Sequence, residues 1–416
     1  MRRTAVVVGA GIGGLAAAGA LARTGWSVTV LERDERSRPG RAALVLWPNG
    51  LRALHTLRLG AGVDGIATPL ASPGIRRADG RWLQKPSSAP DGVAPSEPGR
   101  AVVVHPADLH DILMAGLGDR VDFRTGIDVR TVRPGSPGGR GPAVSDGVVT
   151  FEADLVVAAD GASSGVRRTL APGSTFVTAG HAAWRAFLPA YRAPALPSGA
   201  PRGGEVFGAG HRFSYAALDE RGAAGGTSPG GLYWVATAPG AARPEPAQTQ
   251  LALLRRWFAG WPAPLEEILA ATEPGDLVQD VVGEVAPLPA TFSYQAGTGG
   301  YVLLGDAAHA MTHHLGQGGC LALEDAATLQ AVMANAVPGT TLATALAEYT
   351  ALRRSRVARV LGQSRRVGSL LQSRGRLAVL ARDAMLGQLT PRLLSRASAA
   401  ASDWRPPAGV VPRRDR

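Results

Sequence analysis

Close to the start of the chain, three spaced glycines separate an apolar run from an alanine-rich helix, and this arrangement constrains the fold more than any other feature. Residues 5–8 form a short unbroken apolar run, as in a parallel strand covered on both faces. Gly9, Gly11 and Gly14 follow. Lacking a Cβ, they let the backbone turn sharply, approach a pyrophosphate and seat helix against strand. From Ile12 the sequence favours helix through Arg23, stops at Thr24 and Gly25, and resumes as a strand over Ser27–Leu31. Glu32 ends that strand, where a carboxylate accepts hydrogen bonds from ribose hydroxyls. The unit reads as a dinucleotide-binding βαβ, with the helix N-terminus facing phosphate.

The same stretch imitates an export signal, since Arg2 and Arg3 precede the apolar residues 5–22. A signal needs no glycine spacing and ends in a cleavage site, whereas this segment runs directly into a strand. A cytoplasmic protein is expected. No apolar run of 18 residues follows, so no membrane span is expected. With 416 residues, 45% hydrophobic and 19% charged, the chain is large enough for several domains and too apolar for wholesale disorder. Cys320 is the sole cysteine, which excludes an intramolecular disulfide and a cysteine-rich zinc site; no metal centre is expected. The formal charge is +11, yet Lys85 is the only lysine and no basic run is interleaved with aromatics. Nucleic acid is therefore not an expected partner.

Further along, residues 40–63 read as a loop and a helix with Leu51, Leu54 and Leu57 on one face, and residues 107–117 as a helix. Strands return between Val121 and Ala158 around a Pro and Gly cluster at 134–142 that suits a hairpin tip. Helical periodicity fades over 173–285, apart from a helix at 246–258, and strand-like runs dominate. A long helical stretch is expected over 341–398. The organisation read from these patterns is a nucleotide-binding part built from residues 1–72, 100–172 and 286–340, a sheet domain from 73–99 and 173–285, and a C-terminal helical segment over 341–416. The fold class is α/β, doubly wound, with an inserted antiparallel sheet.

Two further motifs sit at the ends of apolar runs. Residues 160–167 read DGASSGVR, and residues 305–309 read GDAAH, followed by LGQGG at 315–319 and by Glu324 and Asp325. An acid and a glycine at the carboxyl end of a parallel strand suit a hydroxyl-bearing ligand at a sheet crevice. With the first glycine fingerprint, these stretches, in this order, resemble the single-component FAD-dependent aromatic hydroxylases of the para-hydroxybenzoate hydroxylase type, over nearly the whole chain. The resemblance implies that Gly9, Gly11, Gly13, Gly14, Glu32 and Arg33 hold the ADP half of FAD, and that Gly305 and Asp306 lie at its ribitol or pyrophosphate. It further implies that Arg41 belongs to a mobile flavin loop, that Asp160 and Gly161 serve both FAD and reduced nicotinamide, and that Leu315, Gly316, Gly318 and Gly319 line the flavin. The implied reaction uses NADPH or NADH and O2, adds oxygen at the flavin C4a, and hydroxylates an aromatic or polycyclic, polyketide-like small molecule. Epoxidation, Baeyer–Villiger insertion and simple flavin oxidation are alternatives on the same scaffold; a halogenase is disfavoured because its WxWxIP stretch is absent. A monomer or homodimer is expected.

The chain departs from that family at two places. His313 and His314 stand where a Pro and an Asn are common, beside the site of oxygen chemistry, and are candidate catalytic residues, the alternative being that they complete the loop and cap its backbone groups. Pro106 stands where an arginine is frequent, with Arg100 as the nearest substitute. In the sheet domain, period-two alternation puts His211, Phe213 and Tyr215 on one face of a strand and Trp234 on a neighbour, giving candidate substrate contacts; Trp184 and Phe187 lie on another strand. His309 reads as a hydrogen-bonding residue of its own turn.

Overall fold

The computed structural model describes residues 3–37, 44–70, 74–86, 101–133, 139–196, 202–218, 221–223, 226–228, 230–334, 342–388 and 400–407. Its centre is a six-stranded sheet in the order Ser293–Ala296, Gly299–Leu303, Leu155–Ala158, Thr4–Val8, Ser27–Leu31, Val121–Arg124. All neighbours run parallel except the first pair. Gly299–Leu303, Leu155–Ala158 and most of Thr4–Val8 are buried, which is why the sequence shows unbroken apolar runs there in place of alternation. The chain moves to one side of the first strand for Ser27–Leu31 and to the other for Leu155–Ala158. The crevice at this switch point opens beyond Val8 and Ala158, at the strands' carboxyl ends.

The helix Ile12–Arg23 packs against Gly318–Ala334, and Pro48–Thr56 against the same helix. Close approach is built in at Gly13, where a Cβ would come within 2.6 Å of Leu304 and 3.2 Å of Ala322. The 30-residue helix Leu342–Leu371 lies over Gly318–Ala334 and the strand Gly299–Leu303. The expected single helical stretch is broken: a second helix, Arg376–Gln388, starts after a non-helical turn around Ser373 to Gly375.

The second sheet has seven strands in the order Val278–Ala286, Thr175–Pro189, Gly231–Pro239, Arg212–Leu218, Gly203–Phe207, Gly74–Arg77, Trp82–Gln84. It is antiparallel as expected, except where Gly203–Phe207 pairs parallel with Gly74–Arg77. That pairing brings an early segment into a sheet otherwise built from later residues, and its parallel sense is a long-range choice. Helices Ala247–Trp257 and Leu265–Ala271 cover one face through Leu251, Leu254, Phe258, Leu265 and Ile268. The other face turns toward the nucleotide-binding part, where Tyr233, Phe187 and Val235 meet Val45, Leu70 and Val103. Among the described residues, no helix is long and apolar enough to cross a membrane.

Candidate active site

At the first strand's end, Gly9 takes φ +100° and its N–H donates to Leu31 O at 2.8 Å. A Cβ on Gly14 would lie 2.0 Å from Gly9 O, so only glycine brings helix and turn this close, whereas Gly11 faces open space. The Glu32 carboxylate accepts from Ala10 N at 2.8 Å and from Asp34 N at 3.0 Å. Both oxygens are thus held by backbone, with lone pairs remaining for hydroxyl donors. Arg33 is exposed, 3.8 Å from Asp34. Arg41 and Arg100 lie outside the described residues. Pro106 opens the helix Pro106–Ala115, and the His105 side chain caps it by accepting from Ala107 N at 3.2 Å.

The second and third motifs are joined by a residue whose tying role the sequence did not reveal. Arg167, 1% exposed, donates to Ala162 O at 2.5 Å and to Ala307 O at 2.9 Å, which locks residues 160–167 onto residues 305–309. Asp160 Oδ2 accepts from Gly165 N and Val166 N, while its buried Oδ1 has no partner among the described residues. Gly161 and Gly305 take φ +79° and +59°. Asp306 faces the open crevice. Behind it, Asp325 Oδ2 accepts from Gly305 N at 2.9 Å and meets His309 Nε2 at 2.7 Å, so His309 is tied into a buried network in its own turn.

The LGQGG segment forms a turn. His313–Leu315 is a short 3-10 helix, Gly316 is left-handed at φ +61°, and Gly318–Ala334 begins as an α-helix whose free N–H groups face the crevice. A Cβ on Gly316 would lie 3.2 Å from Trp47 Nε1, and one on Gly319 2.9 Å from Leu44. A Cβ on Gly318 would lie 4.0 Å from Asp306, which places these two elements side by side. Leu315 is half-buried against the main core. Gln317 accepts from Asn49 Nδ2 at 2.8 Å, and Thr312 Oγ1 lies 2.8 Å from Ser364 Oγ, so the turn is tied to both flanking helices.

Opposite this turn stands the inward face of the seven-stranded sheet, carrying His181, Arg185, Phe187, Arg212, Ser214 and Tyr233. Arg212 pairs with Glu205 at 2.8 Å and Arg185 with Asp280. Arg212 Nε and Ser214 Oγ are buried without partners among the described residues. The rings of His313 and His314 stack at 4.9 Å, and His181 approaches His314 to 5.1 Å. Burial lowers all three imidazole pKa values: His313 falls well below the usual range, and His314, with Arg212 and His181 adding to the effect, falls to about 3. They are neutral at neutral pH. Burial also pushes the Tyr233 phenol up to about 12, against the opposing pull of Arg185.

The residues expected from alternation to contact substrate occupy the other face. Phe213 and Trp234 stack at 5.2 Å within the core under the helices, Tyr215 is buried in the same cluster, and His211 sits near Trp257 and Phe258. Trp184 also faces that way, bonding Gln250 at 2.8 Å. Of the aromatics named from the sequence, Phe187 faces the crevice, with His105 at 4.6 Å edge to face. The period was legible and the face was not.

A dinucleotide with an attached ring system fits this crevice. There is open space over Gly11, glycine backbone at Gly9, Gly161, Gly305 and Gly316, a helix N-terminus at Gly318, and an unpartnered oxygen on Asp160. The model of the FAD binding domain family matches residues 2–187 and 290–364. The aurachin C monooxygenase/isomerase of Stigmatella aurantiaca is 31% identical over 398 residues, covering 93% of this chain and 94% of that protein. The chain belongs to the FAD-dependent aromatic hydroxylase family. It is an FAD-dependent monooxygenase, and FAD is its cofactor. The FAD-dependent urate hydroxylase of Klebsiella pneumoniae is 31% identical over 366 residues, 85% of this chain and 86% of that one. The structure of Klebsiella pneumoniae HpxO with FAD and uric acid superposes with a TM-score of 0.79 at 27% identity, covering 96% of each chain.

Proposed function

We propose that this monooxygenase hydroxylates a bicyclic heteroaromatic compound carrying a ring carbonyl or hydroxyl, using a reduced nicotinamide and O2. The observation that carries the reading is the pairing of the His313–His314 turn with the inward face bearing Arg185, Arg212 and Ser214. These polar groups converge on the flavin end of the crevice, and several lack partners among the described residues. Relatives whose names give a substrate or a product of this chemistry support it: the urate hydroxylase, and the 2-heptyl-3-hydroxy-4(1H)-quinolone synthase of Pseudomonas aeruginosa, 33% identical over 78% of this chain.

When bound and reduced, the flavin supplies the activated oxygen, a chemistry side chains lack. The protein's part is to bind, orient and exclude water. Gly9, Gly11, Gly13, Gly14, Glu32 and Arg33 hold the ADP end; Asp160, Gly161, Gly305 and Asp306 hold the ribitol and pyrophosphate. Leu315, Gly316, Gly318 and Gly319 back the ring, with the helix N-terminus favouring negative charge on it. Phe187, Tyr233 and Val235 wall the substrate, while Arg212 and Ser214 donate to its oxygen. His314, with a pKa near 3, is too weak a base to retain a proton at neutral pH; its bare nitrogen accepts a hydrogen bond from a ring N–H or hydroxyl and raises electron density at the carbon to be attacked.

The test is a turnover screen of quinolones, hydroxypyridines and purines with both NADH and NADPH, following oxygen uptake and product mass under labelled O2. Label in the product supports the reading. Nicotinamide oxidation that yields only peroxide, with no label in any product, identifies a flavin oxidase instead.

A further inference from the structure

The three histidines at the crevice form a constellation that hydroxylation does not require. His181 comes from the strand Thr175–Pro189, and His313 and His314 from the turn 132 residues later, yet one ring nitrogen from each lies within 4.8 Å of the others. His181 Nδ1 is 3.2 Å from Ala179 O. A carbonyl oxygen only accepts, so the proton sits on Nδ1 and Nε2 carries a lone pair. That is the tautomer a metal-bound imidazole adopts, its other nitrogen anchored on backbone. His181 Nε2, His313 Nε2 and both nitrogens of His314 are buried without partners among the described residues.

We propose that His181, His313 and His314 bind one first-row transition dication of the imidazole-favouring kind, such as Zn2+ or Co2+. Three points no more than 4.8 Å apart lie within about 2.8 Å of a common centre, against about 2.0–2.1 Å for a zinc–imidazole bond. Side-chain shifts of about 0.7 Å close the site. No carboxylate belongs to the ligand set, so Ca2+ and Mg2+, which take oxygen ligands, are not suited to it. Arg212, Arg185 and Arg374 lie close enough to disfavour positive charge on the rings, and of these Arg212 and Arg185 are partly offset by Glu205 and Asp280. Their field favours an anion, such as hydroxide or chloride, in the fourth position. The ion would clasp the sheet to the turn, and through the His314 ring, which lies over Gly368, to the long C-terminal helix. This assignment goes beyond the hydroxylation reading and does not rest on it.

The test uses tag-free, FAD-loaded protein titrated with CoCl2 in the absence of substrate, because ion and substrate draw on the same nitrogens. One equivalent is expected to bind, with the visible band of tetrahedral cobalt in difference spectra against the flavin background and a rise in Tm. His181→Gln is expected to weaken binding at least tenfold with bound FAD unchanged. His181→Cys is expected to retain the ion and add a sulfur-to-cobalt charge-transfer band, so the assignment stays testable if the glutamine variant folds poorly. His55→Ala, at an exposed position, is expected to leave binding unchanged. No cobalt band in the wild type overturns the site. So does equal binding by His181→Gln, a missing sulfur band in His181→Cys, or an equal loss in His55→Ala.

Discussion

Asp325 and Arg353 meet at 2.6 Å with both side chains fully buried, and their pair stands directly behind the GDAAH turn. Asp325 also holds Gly305 N and His309, while Arg353 reaches Glu324 at 2.7 Å. Burial alone would raise the Asp325 pKa, but His309 and Arg353 outweigh it and hold the carboxyl below its usual 3.8.

Removing that charge leaves Arg353 buried with one carboxylate partner fewer. Asp325→Asn is expected to cost about 3 kcal/mol or more at pH 7 and to weaken FAD retention, since the Gly305 turn loses its anchor. A depressed carboxyl contributes stability that is complete above 3.8 and is lost as pH falls through its lower folded value. Urea unfolding across pH checks this: the gap between wild type and variant should hold from pH 7 to near 4 and shrink below it.

The Gly14 approach leaves no room for a methyl. Gly14→Ala places a Cβ 2.0 Å from Gly9 O, where only backbone movement relieves the clash. A loss of about 2 kcal/mol or more is expected, with purified protein carrying well under one FAD per chain. Flavin released on denaturation, measured against protein concentration, decides it.

Arg212 donates toward the crevice from a strand that contributes nothing to the glycine fingerprint. Arg212→Gln is expected to raise the KM of a carbonyl-bearing substrate about tenfold or more, the worth of a charge-assisted hydrogen bond, while bound FAD is unchanged. Steady-state kinetics with a flavin assay would separate this from a folding defect, which lowers kcat and bound FAD and leaves KM unchanged.

Cys320 packs with no exposure, and a Cβ on Gly50 would come within 2.7 Å of its sulfur. Burial pushes its thiol up to about 12, against the donated N–H of Trp47. Native protein at pH 8 is expected to resist iodoacetamide, and labelling, followed by mass, should track urea unfolding.

The parts of the fold legible in the sequence are those set by neighbouring residues. Strand, glycine turn, helix and Glu32 lie within one short segment, and the glycines specify backbone shapes that few other residues adopt. Period-two alternation exposed the second sheet for the same local reason. Which face of that sheet meets the crevice depends on what packs against it, and helices at 247–257 and 265–271 claimed the face with Phe213 and Trp234. Arg167 and His181 were invisible as site residues because their partners lie more than a hundred positions away. The parallel sense of the pairing between Gly74–Arg77 and Gly203–Phe207 belongs to the same class of long-range choice.

The strand Thr175–Pro189 shifts register against Val278–Ala286 between Thr178 and Ala182, and Gly180 within that shift takes φ +70°. Because side chains alternate, this irregularity acts as a phase selector for everything after it. Deleting one residue there, with the pairing before it kept and the strand after it slipped by one position, would send Trp184 into the crevice and turn Arg185 beneath the helices. A lineage built on this scaffold could therefore exchange a cationic, nitrogen-rich pocket for an aromatic one through a single length change, with no point substitution at the pocket itself.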